Sequence, residues 1–193
     1  KKLGNSLLNA WELQSQQRKN EFYAWIKKNS WVEDYSLFMV IREEFDKLPW
    51  WEWPVEFKQK KLDLLKPWLE KKNQELLKQK LIQWHLDKQW NVIKKFAKSK
   101  SIKLIGDLPF YVSRDSADVW SNKSLFSITQ SGDLLFQSGV PPDYFSSTGQ
   151  LWGTPTYYWS KHLRSNFSWW RKRFKRQFEL VDCLLYTSDA ADE

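Results

Sequence analysis

The sequence predicts an α/β fold of the barrel type, and three successive features indicate it. A lysine-rich segment, 55–98, carries apolar residues at helical spacing and leads into a short, partly β-branched apolar run. That run begins at Ile102 and stops at Gly106, which predicts a buried strand. A long loop with little periodicity follows, and such loops inside a domain are usually functional. A helix, a buried strand and a functional loop in this order are typical of an α/β barrel.

The composition limits the class of protein. The chain has 193 residues with 41% hydrophobic content, enough for one globular domain with a sizeable core. No apolar run approaches the length of a membrane span, and the first residue is Lys1, so we expect the true start to be missing. The single cysteine, Cys183, fits a reducing compartment. His85 and His162 lie far apart and no Cys or His cluster has metal-ligand spacing, so we expect no zinc.

The net charge of +8 raises the alternative of nucleic-acid binding. The densest basic run, 171–176, is interleaved with rings that include Trp169, Trp170 and Phe174. This composition suits a groove that tracks phosphates and stacks bases. Trp170, Phe174 and Phe178 fall at helical spacing, however, which favours an amphipathic helix with buried rings and solvated charges.

Two helices are predicted near the start of the chain. The segment 6–28 has apolar residues close to a 3.6-residue period, with Asn5 or Ser6 available as an N-cap. Ser30 and Glu33 have the spacing of a capping box. We therefore expect one long helix and then a shorter one.

The tryptophan-rich segment 49–54 begins and ends with proline, which prevents regular helix. Its three indoles are Trp50, Trp51 and Trp53. They could form a platform for a sugar, but packing beneath a loop is more common, and we expect packing. Further along, Pro67 predicts a break between two helices.

Polar and aromatic side chains are predicted to meet in the long loop. Pro141, Pro142 and Gly149 stiffen or bend its backbone. We expect the loop to present five side chains together: Asp143, Tyr144, Phe145, Gln150 and Trp152. Flat rings with short polar groups suit a polyhydroxylated ligand, because a sugar offers C–H faces for stacking and hydroxyls for carboxylate or amide partners.

Asp107 comes directly after the predicted strand, where α/β barrels gather their ligand sites. An aspartate that caps the turn after the strand is an equally good interpretation. Asp115 and Asp118 are predicted to cap a short helix, so they are not counted among the candidate binding residues.

Several phrases in register resemble one known family. They are GDLPFYV at 106–112, DSADVW at 115–120, GVPPDYF at 139–145, GQLWG at 149–153 and SWW at 168–170. Upstream, SWVEDYSLFM at 30–39 and LPWWEWP at 48–54 fit the same pattern. The chain is similar over roughly residues 25–182 to the amylomaltase or disproportionating-enzyme family of 4-α-glucanotransferases.

The resemblance implies a partial (β/α)₈ barrel with helical insertions and Asp107 in the glucan-binding cleft. It also implies that 139–145 is a mobile loop over the active site whose tip contacts glucose units, and that Trp152 stacks on the glucan. The chain departs from the family pattern at Thr154, where Asn or Ser is usual, and at Tyr158, where Asp is common. Thr154 and Pro155 nevertheless predict an N-cap and first turn of a helix.

The catalytic groups are a separate question. Retaining glycosyl transfer needs a carboxylate nucleophile and a carboxylic acid about 5 Å apart. The resemblance implies a nucleophilic aspartate in an R-x-D-H phrase, a few residues after Asp182 on a strand that begins around 180–182. This phrase is absent from the sequence, so no catalytic residue is assigned. Residues 183–193, CLLYTSDAADE, do not resemble the family and are predicted to be a non-native tail.

The sequence therefore predicts an internal part of a glucanotransferase barrel, residues 1–182, that binds an α-1,4-glucan or maltooligosaccharide. We expect no metal, no organic cofactor, no nucleic-acid partner and no membrane partner. The cytoplasm, or the plastid stroma in a plant or alga, is the expected location. A non-catalytic carbohydrate-binding module would use the same aromatic residues and remains an alternative, as does a basic nucleic-acid-binding helical protein.

Overall fold

The structure is a computed structural model that describes residues 2–185, with side chains from Ser6 onward. The chain divides into two compact units, Lys1–Gln89 and Trp90–Glu193. Over the described residues, none of the helices combines the length and the apolar character that a bilayer crossing demands.

The described part of unit one is helical. Its elements are α1 (Lys2–Glu12), α2 (Gln16–Lys28), α3 (Trp31–Glu44), a 3₁₀ turn at Trp50–Glu52, α4 (Val55–Lys58), α5 (Leu62–Lys71) and the first part of α6 (Asn73–Ser99). The boundary between the units falls within α6.

The single helix expected over 6–28 is wrong, because α1 and α2 are separate. Ser15 lies before α2, and its hydroxyl accepts a hydrogen bond of 3.3 Å from the N–H of Arg18. A serine that bonds the backbone in this way offers the chain an alternative to continuing the helix. Asn5 and Ser6 lie inside α1 and are not its cap.

Two other predicted helix boundaries also differ. Ser30 does precede α3, but its side chain makes no capping hydrogen bond, so the capping box is absent. Pro67 lies inside α5 and does not break it. The carbonyl that loses its partner at this proline is that of the exposed Asp63 in the first turn, where water can satisfy it.

Crossed aromatic rings form one core of unit one. Trp11 of α1, Phe22 of α2, and Leu81 and Trp84 of α6 are buried together. The ring centroids of Trp11 and Phe22 lie 4.8 Å apart, and those of Phe22 and Trp84 lie 5.3 Å apart, both edge to face. This geometry is favourable for aromatic pairs, so three helices share one packed contact.

Two of the three tryptophans in the proline-flanked segment are part of the core, which confirms the packing prediction for them, while Trp51 is half-buried and packs edge to face on Trp50. Trp50 is fully buried and Trp53 is 2% exposed. The indole of Trp53 donates to the carbonyl of Leu48 at 2.9 Å and lies 5.4 Å from the ring of Phe38. Rings with this degree of burial cannot offer a face to a ligand.

Unit two mixes helices and strands. After the end of α6 it contains β1 (Ile105–Asp107), α7 (Ala117–Ser121), a 3₁₀ turn at Lys123–Leu125, β2 (Gln137–Val140), β3 (Gln150–Pro155), α8 (Trp159–Arg164), α9 (Ser168–Leu180) and β4 (Cys183–Leu185). Strand β1 pairs with β4 in parallel, and β2 pairs with β3 in antiparallel. The α/β class predicted from the sequence is confirmed.

The strand predicted from Ile102 to Gly106 is shorter and begins later, as β1 (Ile105–Asp107), and neither it nor the preceding Ile102 is buried. Ile102 is 56% exposed and Ile105 is 72% exposed. Its sheet has two strands among the described residues, and a parallel sheet is buried only where other elements pack on both of its faces. The region beyond β1 is not one irregular loop either, because it contains α7 and the β2–β3 hairpin.

Two helix starts in unit two lie elsewhere than predicted. Thr154 and Pro155 end β3, and α8 begins at Trp159. The hydroxyl of Thr154 bonds that of Ser138 across the two strands, so it is engaged in the sheet. At α7 the N-cap is Ser116, whose hydroxyl accepts from a backbone N–H, and not the flanking aspartates.

The basic run lies on α9 with the burial expected of an amphipathic helix. Trp169 and Trp170 are 9% and 6% exposed, so they are not available to stack bases. The guanidinium of Arg173 lies over both indoles, 5.3 and 5.4 Å from the ring centroids. Phe178 departs from the prediction, since it is 55% exposed.

Candidate functional site

Asp107 ends β1 as predicted, at the carboxyl edge of a parallel strand pair. The register pairs Gly106 with Leu184 and Asp107 with Leu185. At Gly106 an added Cβ would lie 3.0 Å from two side-chain carbons of Val181, which is closer than ordinary contact. The glycine therefore lets β1 approach the segment between α9 and β4 closely, and this approach fixes where Asp107 lies.

The β2–β3 hairpin holds the other candidate residues, and glycine permits its close pairing. A Cβ added at Gly139 would lie 2.2 Å from the carbonyl oxygen of Gln150. Gly149 has φ +71°, and a Cβ there would lie 2.6 Å from the carbonyl oxygen of Val140. Both ends of the connecting loop 141–149 are thus fixed by backbone contacts that larger residues would disrupt.

Asp143 braces the tip of this loop. Its Oδ1 accepts hydrogen bonds from the N–H groups of Phe145 and Ser146, at 2.9 and 2.6 Å. The hydroxyl of Ser146 donates to the carbonyl of Gly149 at 2.8 Å. This is an Asx-type turn, in which a short carboxylate satisfies the backbone of the loop.

The braced tip presents two aromatic side chains to solvent. Tyr144 is 97% exposed and Phe145 is 82% exposed. Their centroids lie 5.6 Å apart with perpendicular planes. Exposed rings that lie side by side on a loop of defined shape are a candidate binding surface.

Gln150 and Trp152 lie two residues apart on β3 and therefore on one face of the strand. The indole N–H of Trp152 donates to Oε1 of Gln150 at 3.1 Å. The Trp152 ring also meets the ring of Tyr111, with centroids 6.0 Å apart. Tyr111 belongs to the loop after β1, so the hairpin contacts the segment that begins at Asp107.

The structure thus brings the candidates together in part. Tyr144 and Phe145 share the tip with Asp143, and Gln150 shares a face with Trp152. Tyr111 was not among the residues predicted from the sequence, although it lies in the phrase GDLPFYV. The signal that could have found it was its position, four residues beyond an aspartate that ends a strand.

A second loop contact involves Arg114, in the same segment after β1. Its Nε donates to the carbonyl of Gly132 at 2.8 Å, and its Nη2 lies 3.7 Å from Oδ1 of Asp133. Burial lowers the pKa of Arg114, and hydrogen bonds from Ser131 and Thr129 lower the pKa of Asp133. The lowered pKa of Asp133 favours its carboxylate form, which faces the Arg114 guanidinium and anchors the loop.

Beneath these loops lies a cluster of rings around His162 of α8. His162 is fully buried, with Nε2 3.2 Å from the carbonyl oxygen of Leu125. Its ring lies 5.5 Å from that of Tyr157 and 6.0 Å from that of Trp169. Burial lowers the pKa of His162, so it is neutral at pH 7.

The chemistry open to these residues is recognition. From residue 2 to residue 185, no group of three or more His, Cys, Asp or Glu side chains is placed to hold a metal ion. Exposed rings can stack on sugar faces, and the amide of Gln150 and the carboxylates of Asp107 and Asp143 can bond sugar hydroxyls. The strand-end position of Asp107 adds a carboxylate at the edge where barrel enzymes bind ligands.

Comparisons with known proteins agree on one family. The sequence profile of the 4-alpha-glucanotransferase family matches residues 2–185. The 4-alpha-glucanotransferase of Aquifex aeolicus is 43% identical over 162 residues, which are 82% of this chain and 33% of that protein. The chloroplastic or amyloplastic 4-alpha-glucanotransferase of Oryza sativa subsp. japonica is 39% identical over 180 residues, 91% of this chain and 29% of that protein.

A solved structure agrees with the sequence relatives. The amylomaltase from Streptococcus agalactiae, solved in complex with acarbose, superposes with a TM-score of 0.85 at 32% identity. The match covers 91% of this chain and 36% of that one. The chain spans about a third of the length of the relatives it matches. Because the profile match extends over nearly the whole sequence, the chain belongs to the 4-alpha-glucanotransferase family.

Proposed function

We propose that this chain forms part of the glucan-binding cleft of a 4-α-glucanotransferase. The parallel pairing of β1 with β4 carries the proposal. Parallel strands end at the same edge of a sheet, so β4 runs towards the edge where Asp107 lies. The family resemblance implies a nucleophilic aspartate a few residues after Asp182, along that strand. A retaining glycosyl-transfer site needs such carboxylates near the bound sugar.

The same pairing supports a partial (β/α)₈ barrel with helical insertions. The connection from β1 to β4 contains α8 and α9, and parallel strands joined through helices are the repeating unit of such barrels. In this proposal residues 1–182 are an internal part of the catalytic barrel. Residues 183–193 remain proposed as a non-native tail, although 183–185 form β4 and lie within the family match. The pairing itself begins before that tail, because the N–H of Asp182 donates to the carbonyl of Leu104 at 2.9 Å and the N–H of Leu104 donates to the carboxylate of Asp182 at 3.0 Å. Residues 186–193 lie outside the described part of the chain.

The proposed binding surface is Asp107 together with the β2–β3 hairpin. Tyr144 and Phe145 would stack on glucose units, because their rings are exposed on a braced tip. Trp152 would add a third ring, and Gln150 and Asp143 would bond sugar hydroxyls. The acarbose bound by the Streptococcus agalactiae amylomaltase supports an oligosaccharide as the ligand.

The intact enzyme, in this proposal, cleaves an α-1,4-glucan and passes the donor segment to a glucan acceptor hydroxyl in place of water. The braced loop would help to exclude water from the glycosyl-enzyme, as a lid does. The reaction requires neither a metal nor an organic cofactor. We propose the cytoplasm or a plastid stroma as its location, since the relatives include bacterial and chloroplastic enzymes.

Calorimetric titration of the purified chain with maltoheptaose tests the binding proposal. We expect saturable binding of maltoheptaose and none of cellohexaose, whose β-1,4 linkages present a different surface. Equal heats for the two ligands would contradict an α-glucan site. A steep salt-dependent affinity for a random oligonucleotide, with none for maltoheptaose, would instead favour the nucleic-acid alternative.

Variants of exposed tyrosines locate the binding surface. Tyr144→Ala should weaken maltoheptaose binding about tenfold, because stacking on one ring contributes about 1.4 kcal/mol. Tyr23→Ala is the matched control, since Tyr23 is also exposed but lies in unit one. Equal effects of the two changes would remove the hairpin tip from the site.

Activity and gene sequence test the remaining claims. The 193-residue chain alone should not disproportionate maltotriose, and turnover would overturn the absence of catalytic carboxylates.

A longer read of the gene beyond Asp182 should show an R-x-D-H continuation. A continuation without that phrase would favour a non-catalytic carbohydrate-binding module.

A further inference from the structure

The loop after β1 is held by side chains from two other segments. Its first backbone hydrogen bond runs from the N–H of Leu108 to the carbonyl of Leu185 on the paired strand, at 3.0 Å. The next two carbonyls accept from side chains. Arg173 of α9 donates to Pro109 at 2.7 Å, and the hydroxyl of Tyr157 donates to Phe110 at 2.5 Å.

Tyr157 lies two residues beyond β3, the strand that carries Gln150 and Trp152. Its side chain is 7% exposed, and its backbone forms an antiparallel bridge with Phe126. The Tyr157 ring lies 5.2 Å from that of Trp170. Because the ring is packed and the backbone is bridged, the hydroxyl occupies a fixed position.

Phe110 and its neighbour Tyr111 connect the Tyr157 hydroxyl to the candidate site. The Tyr111 ring stacks on that of Tyr157, with centroids 6.2 Å apart and planes 10° from parallel. Tyr111 also contacts Trp152, with ring centroids 6.0 Å apart. The Tyr157 hydroxyl therefore links the segment that starts at Asp107 to the strand that carries Trp152, through one hydrogen bond at Phe110.

We propose that Tyr157 is a positioning residue for glucan binding, which sets Tyr111 and Trp152 relative to the loop that begins at Asp107. It would touch no sugar itself, because its hydroxyl is directed at the protein backbone. The inference rests on the proposed function for its effect on binding. The effect on the loop does not depend on any ligand.

Tyr157→Phe is the sharpest variant, because it removes one oxygen atom and keeps the packed ring. Without ligand, amide hydrogen exchange over residues 106–112 should accelerate about tenfold, since the Phe110 carbonyl loses the hydrogen bond from Tyr157. Tyr23→Phe is the matched control and should leave that exchange unchanged. Unchanged exchange in Tyr157→Phe would overturn the positioning role.

Binding of maltoheptaose to the full 193-residue chain gives the second measurement. Tyr157→Phe should weaken binding about fivefold, the effect of one lost hydrogen bond. Ser165→Ala removes another hydroxyl-to-carbonyl bond of the same unit, to His162, and should leave affinity unchanged. Unchanged affinity in Tyr157→Phe would overturn the inference.

A double-mutant cycle separates positioning from general stability. If Tyr157 acts through Trp152, Tyr157→Phe should change affinity by less than twofold in a Trp152→Phe background. A purely structural role would give the same fivefold loss in both backgrounds and would contradict us. If the unmodified chain binds no maltoheptaose, the proposed function fails, and the hydrogen-exchange result alone decides whether Tyr157 positions the loop.

Discussion

Two aromatic segments of this chain lie beside prolines, and their rings differ in exposure to solvent. In LPWWEWP the rings of Trp50 and Trp53 are buried among helices. In GVPPDYF the rings of Tyr144 and Phe145 point to solvent from a tip that its own aspartate braces. Composition alone does not separate them. The backbone of both segments forms local hydrogen bonds, so the difference lies in the exposure of the rings, and exposure makes the second segment the candidate for recognition.

The largest expected effect tests the buried segment. Trp50→Ala should lower the free energy of unfolding by about 4 kcal/mol, because it removes a fully buried indole and leaves a cavity. Tyr144→Ala should change it by less than about 0.5 kcal/mol, since that ring is exposed. Urea unfolding followed by circular dichroism measures both. Similar losses for the two variants would end the contrast.

The hairpin that carries the exposed segment depends on its close strand pairing. Gly139→Ala should destabilise unit two by about 2 to 3 kcal/mol, because its Cβ would lie 2.2 Å from the carbonyl oxygen of Gln150. Gly153→Ala is the control. Gly153 has φ +68° and open space around it, so only backbone strain of about 1 kcal/mol is expected. A larger loss for Gly153→Ala in the same urea assay would show that the close approach is unimportant.

The smallest expected effect is on the pH dependence of stability, through the buried His162. Burial lowers the pKa of His162, so below the ordinary value near 6.5 the unfolded chain binds a proton that the folded chain resists. Stability should therefore fall as the pH drops from about 6.5 towards that lowered pKa. His162→Gln should reduce this dependence. His85, whose pKa burial also lowers, is present in both proteins, so its contribution cancels in the difference.

Thermal denaturation of both proteins between pH 7 and pH 5 measures the effect of His162. The control is His85→Gln, which should retain the His162 contribution. Identical pH profiles for the unmodified chain and His162→Gln would show that the buried imidazole does not couple to folding.

Local patterns in the sequence predicted the elements better than their limits. Helical spacing found α9, and the apolar run found β1 with Asp107 at its end. The predicted helix break at Pro67 and the predicted N-cap at Thr154 are wrong, because local propensity does not include the partners that each residue finds in the fold. The helix continues through Pro67 because the carbonyl that loses its hydrogen bond is exposed to water. The Thr154 hydroxyl instead bonds the hydroxyl of Ser138 on β2, which lies earlier in the chain.

Burial and side-chain pairing were harder to predict, because both depend on distant partners. Ile105 looks like a core residue in sequence, yet it is 72% exposed in the two-stranded sheet. The contact between Tyr111 and Trp152 joins residues about forty positions apart, and no local pattern encodes it. The phrases at 106–112 and 139–153 nevertheless identified the family correctly, since they carry chemistry as well as structure.

The brace at Asp143 has a thermodynamic consequence. Its two hydrogen bonds to the backbone restrict the loop before any sugar arrives, so most of the conformational entropy of the tip is lost during folding. A ligand that meets such a preorganised surface spends little of its binding energy on ordering it. The aspartate can therefore raise affinity through the backbone that it restricts, in addition to the sugar hydroxyl that we propose it bonds.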